Sequence, residues 1–140
     1  MARYGYRKGR RLTVKASVDG STSAISVGDI LTWGTAGFVQ QAAAGDDVIA
    51  GVAMAEVASP TSDGDVTILM DVSEESIYEY PADAGSVSAG LAGTTMDIGG
   101  PQSINIDASA DDDCPCVEVD TVANTVFVCF RTKLGYAGVA

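Results

Sequence analysis

The chain has 140 residues, is 46% hydrophobic but only 6% aromatic, and carries a formal net charge of −11. That length suits one domain, or two small lobes sharing a core, and the apolar content is enough to bury one. With no His in the sequence, Ser-His-Asp and Cys-His machinery are excluded and the commonest metal ligand is missing. No run of about 18 apolar residues occurs, so no membrane-spanning helix is expected.

The chain opens on "MARYGYRKGRRLTVK", which holds six of the eight basic residues. Two basic and nineteen acidic residues leave residues 16–140 at −17. No apolar stretch follows the basic start, which argues against a secretory signal, and Gly5 and Gly9 argue against an amphipathic transit helix. "RLTVKASV" then alternates apolar and polar at period two and predicts a strand. "GDILTWG", "GFVQQA" and "DVIAGVAMAEV" are short apolar runs cut by glycine. "SDGD" predicts a turn before the β-prone "DVTILMDV". "SIYEYP" alternates again and ends at Pro81. "PADAGSVSAGLAG" holds at most one helical turn and reads as a loop. "MDI" and "SINID" flank the turn "GGP", and "CVEVD" and "NTVFVCFRT" predict a terminal hairpin.

These short strands predict an all-β fold, a small β-barrel or sandwich or two packed β lobes, with an extended N-terminal arm and little helix. The organisation expected is a basic arm over 1–15 and an acidic β domain over 16–140, with sub-lobes 16–72 and 73–134. No Pro- or Ser-rich linker separates the lobes and no sequence repeat is evident. The tail "LGYAGVA" is of the kind that frays unless something binds it.

Candidate chemistry is sparse. "DDDCPC" at 111–116 sets three carboxylates beside two thiols, but it mixes hard and soft ligands and lacks the paired spacing of zinc sites. A solvated acidic turn entering a strand explains it, and no metal or cofactor is expected. "SDGDVT" at 62–67 lacks the later ligands of a calcium loop. The three cysteines, Cys114, Cys116 and Cys129, are an odd number and poor support for a disulfide framework. Free thiols are expected, with a Cys116–Cys129 bridge as the alternative. Lysines lie only near the ends and no phosphate-cradling glycine loop occurs, so no catalytic residues are expected and the chain reads as a non-enzyme.

The N-terminal segment is the sharpest feature. Arg3, Tyr4, Tyr6, Arg7, Lys8, Arg10, Arg11 and Lys15 interleave cations with aromatics. Such a segment suits docking onto an acidic protein surface, where Arg and Tyr are favoured, or nucleic-acid binding by phosphate neutralisation and stacking. A body at −17 disfavours nucleic acid as a partner. It suits an arm that reaches a sister subunit or another protein.

The stretch "VGDILTWGTAGFVQQAAAGDDVIAGVAMAEV" at 27–57 resembles the head decoration (capsid cement) proteins of tailed bacteriophages. The matching features are Gly28-Asp29 before a strand, Gly34 at a turn, Ala42 to Asp46, and Gly51-Val52-Ala53. "SIYEYPADAG", "GLAGTTMDI" and "VFVCFRT" look like the second half of similar virion proteins, so the resemblance spans roughly 12–134. It implies a structural protein on the outer surface of an icosahedral head, made in the host bacterial cytoplasm and bound to the major capsid protein. It also implies self-association as a trimer at three-fold sites or a dimer at two-folds, and an N-terminal arm lying on the capsid. A nucleic-acid-associated module using the same arm, or a carbohydrate-binding β domain, are the alternatives.

Overall fold

The computed structural model describes residues 5–34, 37–46, 48–60, 62–107 and 114–132. The strands are β1 (Gly5–Lys8), β2 (Thr13–Ser17), β3 (Ile30–Trp33), β4 (Val39–Gln41), β5 (Ile49–Ala53), β6 (Thr67–Asp71), β7 (Ile77–Pro81), β8 (Thr95–Gly100), β9 (Ser103–Asn105), β10 (Cys114–Asp120) and β11 (Thr125–Val128). A 3-10 turn at Ala89–Leu91 lies in the glycine-rich loop after β7. The strands form two packed antiparallel sheets, a β-sandwich. One is six-stranded in the order β1-β7-β11-β10-β8-β9, the other five-stranded in the order β2-β6-β5-β3-β4. No helix among the described residues is long and apolar enough to cross a membrane.

The chain changes sheet between β6 and β7, since β2–β6 fill one sheet and β7–β11 most of the other. The two halves also share one strand order. In each, the first strand pairs with the fifth, the fifth with the fourth, the fourth with the second and the second with the third. Just after its first strand, each half makes a parallel bridge to its third, Val18 to Val39 and Ala82 to Ile104. The next amide along then donates to the same third strand, Asp19 to the Val39 carbonyl (2.8 Å) and Asp83 to that of Ile104 (2.9 Å). Each aspartate side chain lies against a glycine. A Cβ on Gly34 would sit 2.5 Å from Asp19 Oδ2, and one on Gly99 2.8 Å from Asp83 Oδ2, so the close approach excludes a side chain at either position. The outer strands of each half thus curl towards one another without closing a barrel. β1 is the one strand outside this duplication, added beyond β7.

Apolar alternation sorts the core into two clusters. Leu31, Ala50, Ala53, Ile68 and Met70 lie inside the curl of the first half. Ile30, Ile49 and Val52 project from the other face of the same strands and join Tyr78, Tyr80, Ile98, Val126 and Phe130 of the second half. β5 is therefore buried along its whole length, which is why its sequence carries no polar side chain on either side of Gly51. Tyr78, Tyr80 and Phe130 pack ring against ring with centroids 5.7–6.1 Å apart.

Polar groups from the second half anchor to the first. The Tyr80 hydroxyl donates to the Gly28 carbonyl (2.6 Å), and Gln102 Nε2 donates to Asp29 Oδ1 (2.8 Å). The densest of these anchors is Asp71, at the end of β6 and buried. Its Oδ1 accepts from the Leu12 (3.1 Å) and Ser73 (3.0 Å) amides, and its Oδ2 accepts from the Tyr78 hydroxyl (2.6 Å). Burial acts to raise the carboxyl pKa, but the hydrogen bonds from Ser76, Tyr78, Ser73 and Leu12 outweigh it and hold the pKa below the usual value.

Asp71→Ala should therefore cost about 3–5 kcal/mol, because several donors lose their acceptor at once. Because the folded pKa is depressed, the contribution is complete above the unfolded carboxylate pKa and is lost as pH falls through the folded value. Urea melts should show the wild type losing stability below about pH 4, with that part of the loss absent in Asp71→Asn. Equal pH dependence in the two proteins would remove Asp71 as the source.

Candidate functional site

The chain reverses between β1 and β2 through Gly9, which has φ +105° and packs directly on the Glu75 carbonyl, where no Cβ fits. The reversal lets β1 add to the first strand of the second half while β2 begins the first half. Gly5 lies opposite Glu79 and Tyr6 opposite Tyr78, with a bulge between Tyr6 and Lys8. Over these residues the segment expected to be an extended arm reaching a neighbouring molecule is an edge strand of its own sheet. The reason is a local set of contacts that period-two pattern reading does not reveal in so short a stretch.

Those contacts divide the basic residues into two groups. The Tyr6 ring meets Tyr78 edge-on at 5.8 Å, and its hydroxyl donates to the Gly9 carbonyl (2.7 Å). The Arg11 guanidinium stacks over the Tyr6 ring at 3.7 Å and reaches Asp71 at 3.8 Å. Arg7 Nε donates to Glu79 Oε1 (2.9 Å), while Glu79 Oε2 accepts from the Thr125 hydroxyl (2.6 Å). Tyr6, Arg7 and Arg11 thus fasten the segment to the sandwich. Lys8, Arg10 and Lys15 are exposed, and no ion pair holds them among the described residues. Arg3 and Tyr4 lie outside the described residues.

The acidic motifs are largely committed to turns. Asp63 Oδ1 accepts from the Gly20 amide (2.8 Å) and Asp65 Oδ2 from the Ser62 amide (2.9 Å). This is turn chemistry at "SDGDVT". In "DDDCPC", Asp111 to Asp113 lie outside the described residues, and Cys114 and Cys116 are buried in β10. Among the described residues no three His, Cys, Asp or Glu side chains converge as metal ligands. No disulfide joins Cys114, Cys116 or Cys129, and burial pushes the Cys116 and Cys129 thiols above their ordinary pKa.

Two surface grooves flank the basic segment. One, of about 480 Å3, runs between Arg10, Leu12 and the Ser73–Glu75 turn. The other, of about 370 Å3, follows β2 past Val14, Lys15 and Ala16 to Trp33 and Met70. Comparison of the chain with protein-family models, curated proteins and solved structures finds no match.

The thiol state is directly measurable. All three cysteines should titrate in denaturant, whereas Cys116 and Cys129 should react slowly in the native protein at about pH 8, where raised pKa values keep them protonated. A denatured count of one would mean that a pair is bridged.

Proposed function

We propose that the protein is a non-catalytic structural component of a virion that binds the outer surface of an icosahedral phage head through its basic N-terminal segment. It would assemble there in several copies on the lattice of the major capsid protein. The observation that carries this reading is the division of labour among the cations: Arg7 and Arg11 pair with acids of the sandwich, and Lys8, Arg10 and Lys15 are left facing solvent.

A pre-ordered cationic segment binds without paying again for its own ordering. Set on a body at −17, it favours a compact acidic protein surface over a long polyanion, which the rest of the molecule would repel. Repeated across a lattice, weak single contacts sum to firm attachment. The exposed acidic remainder keeps a densely covered particle soluble. The resemblance of residues 12–134 to decoration proteins supports the same reading.

Deleting the whole segment would remove β1 and uncover Tyr78, so a surface variant is the cleaner test. Lys8→Glu/Arg10→Glu should keep the wild-type melt and lose at least about tenfold in co-sedimentation with undecorated heads. Unchanged sedimentation would overturn the reading. Binding to free DNA in parallel, weakening steeply with salt, would make the protein a nucleic-acid binder instead.

A further inference from the structure

The duplicated strand order makes the two halves comparable residue by residue at one place, the outer edge of the first strand. Ser17 faces Thr67 as Pro81 faces Thr125, and the next residues, Val18 and Ala82, make the equivalent parallel bridges. Stepping back along the strands, Lys15 occupies the position of Glu79, and Val14 that of Tyr78. In the second half this edge is filled: β1 lies antiparallel on it, with Tyr6 against Tyr78 and Arg7 paired to Glu79. In the first half no strand covers the outer edge of β2 over Thr13–Ser17 among the described residues. The groove of about 370 Å3 runs along it instead.

We propose that this edge of β2 takes an extended segment of another protein as an added antiparallel strand, with an apolar side chain over Val14 and a neighbouring carboxylate on Lys15. The occupant is read from the filled copy with its charge reversed. Where β1 brings an aromatic residue and then an arginine to Tyr78 and Glu79, the missing strand must bring an apolar residue and then an acid to Val14 and Lys15. The floor is built for the apolar partner, since Val14, Ala16, Trp33 and Met70 lie on it. Main-chain hydrogen bonds along the edge supply affinity, and the alternating side chains supply register. A second copy is the wrong partner. Two β2 strands paired antiparallel about their centres would set Lys15 opposite Lys15, and directly opposed like charges destabilise a strand pair. The inference stands on the strand order and holds whatever the wider function of the protein.

The sequence contains a single tryptophan, and Trp33 lines the groove, so occupancy has an intrinsic reporter. The full chain is titrated with fluorescein-labelled Ser-Val-Glu-Val-Glu-Val-Ser, with its Lys-for-Glu counterpart, and with a version N-methylated at alternate amides. Anisotropy is followed on the labelled peptides and Trp33 emission on unlabelled ones. The Glu peptide should bind and shift Trp33 emission, with the Lys peptide at least about tenfold weaker and the N-methylated one not binding. Lys15→Glu, at an exposed position, should reverse the preference between the Glu and Lys peptides. Absence of binding up to about 1 mM, equal binding of the two charge types, or a Trp33 signal that stays flat would overturn the proposal. So would sedimentation showing a self-associated chain that Lys15→Glu dissociates, because the edge would then belong to a second copy.

Discussion

A buried carboxylate at the passage between the sheets holds this molecule's parts in register. Asp71 ends the last strand of the first half, and within a few residues the chain begins the second. Its partners come from three directions: the Leu12 amide at the entry to β2, the Ser73 amide in the connecting turn, and the Tyr78 hydroxyl inside the second core. The nearby Arg11 contributes less than its charge implies. At 3.8 Å, with its side chain 36% exposed, it belongs with surface pairs worth about 0–1 kcal/mol. The hydrogen bonds to the anion, shortest from Tyr78, are of the charge-assisted kind worth about 1.5–3 kcal/mol each. They explain why a desolvated acid stays charged at the seam of two sheets. They also fix where residues 9–12 run, and so where β1 lands.

Placement of β1 follows from that seam. Once Leu12 is tied to Asp71, the preceding turn at Gly9 must pass over Glu75, and the four residues before it fall alongside β7. There the Tyr6 ring finds Tyr78, whose own hydroxyl is already committed to Asp71, and Arg11 closes over the outer face of Tyr6. Asp71, Tyr78, Tyr6 and Arg11 form one continuous stack from core to surface. Burial and the adjacent Asp71 both raise the Tyr78 pKa, so the phenol stays a donor throughout the range in which the carboxylate needs one. The basic segment is thereby an extension of the second core rather than an appendage to it.

The strands were legible where period-two alternation ran, as in β2 and β7, or where β-prone runs were bounded by turns, as in β6 and the β10–β11 hairpin. The turn through Asn124 uses a residue that tolerates φ near +60°. β1 was not legible, because "GYRK" is too short to set a pattern and its cations resemble a solvated tail. The duplication was hidden for a different reason. What the halves must share is backbone: an aspartate after the first strand, a glycine beneath it, and a bridge to the third strand. Side chains elsewhere diverged with their neighbours, Val14 against Tyr78 and Lys15 against Glu79. At the candidate site the sequence identified the cations but could not divide them. Which arginines are held internally depends on Glu79 and Asp71, respectively 72 residues from Arg7 and 60 from Arg11, and visible only in the fold.

The same substitution pattern shows how the duplication assigns different tasks to its two first strands. Glu79 accepts a cation from the chain's own β1 and so closes that edge internally. Lys15 reverses the sign, so the chain's own basic segment cannot serve it. A lysine on an exposed edge also discourages copies of the chain from pairing with one another, a common safeguard for open strands. That safeguard is selective: it repels this chain's basic β1 and β2 but not an acidic strand. Beside an apolar floor of Val14, Ala16, Trp33 and Met70, the charge therefore rejects self-pairing while leaving the backbone groups of β2 available to a partner of opposite sign.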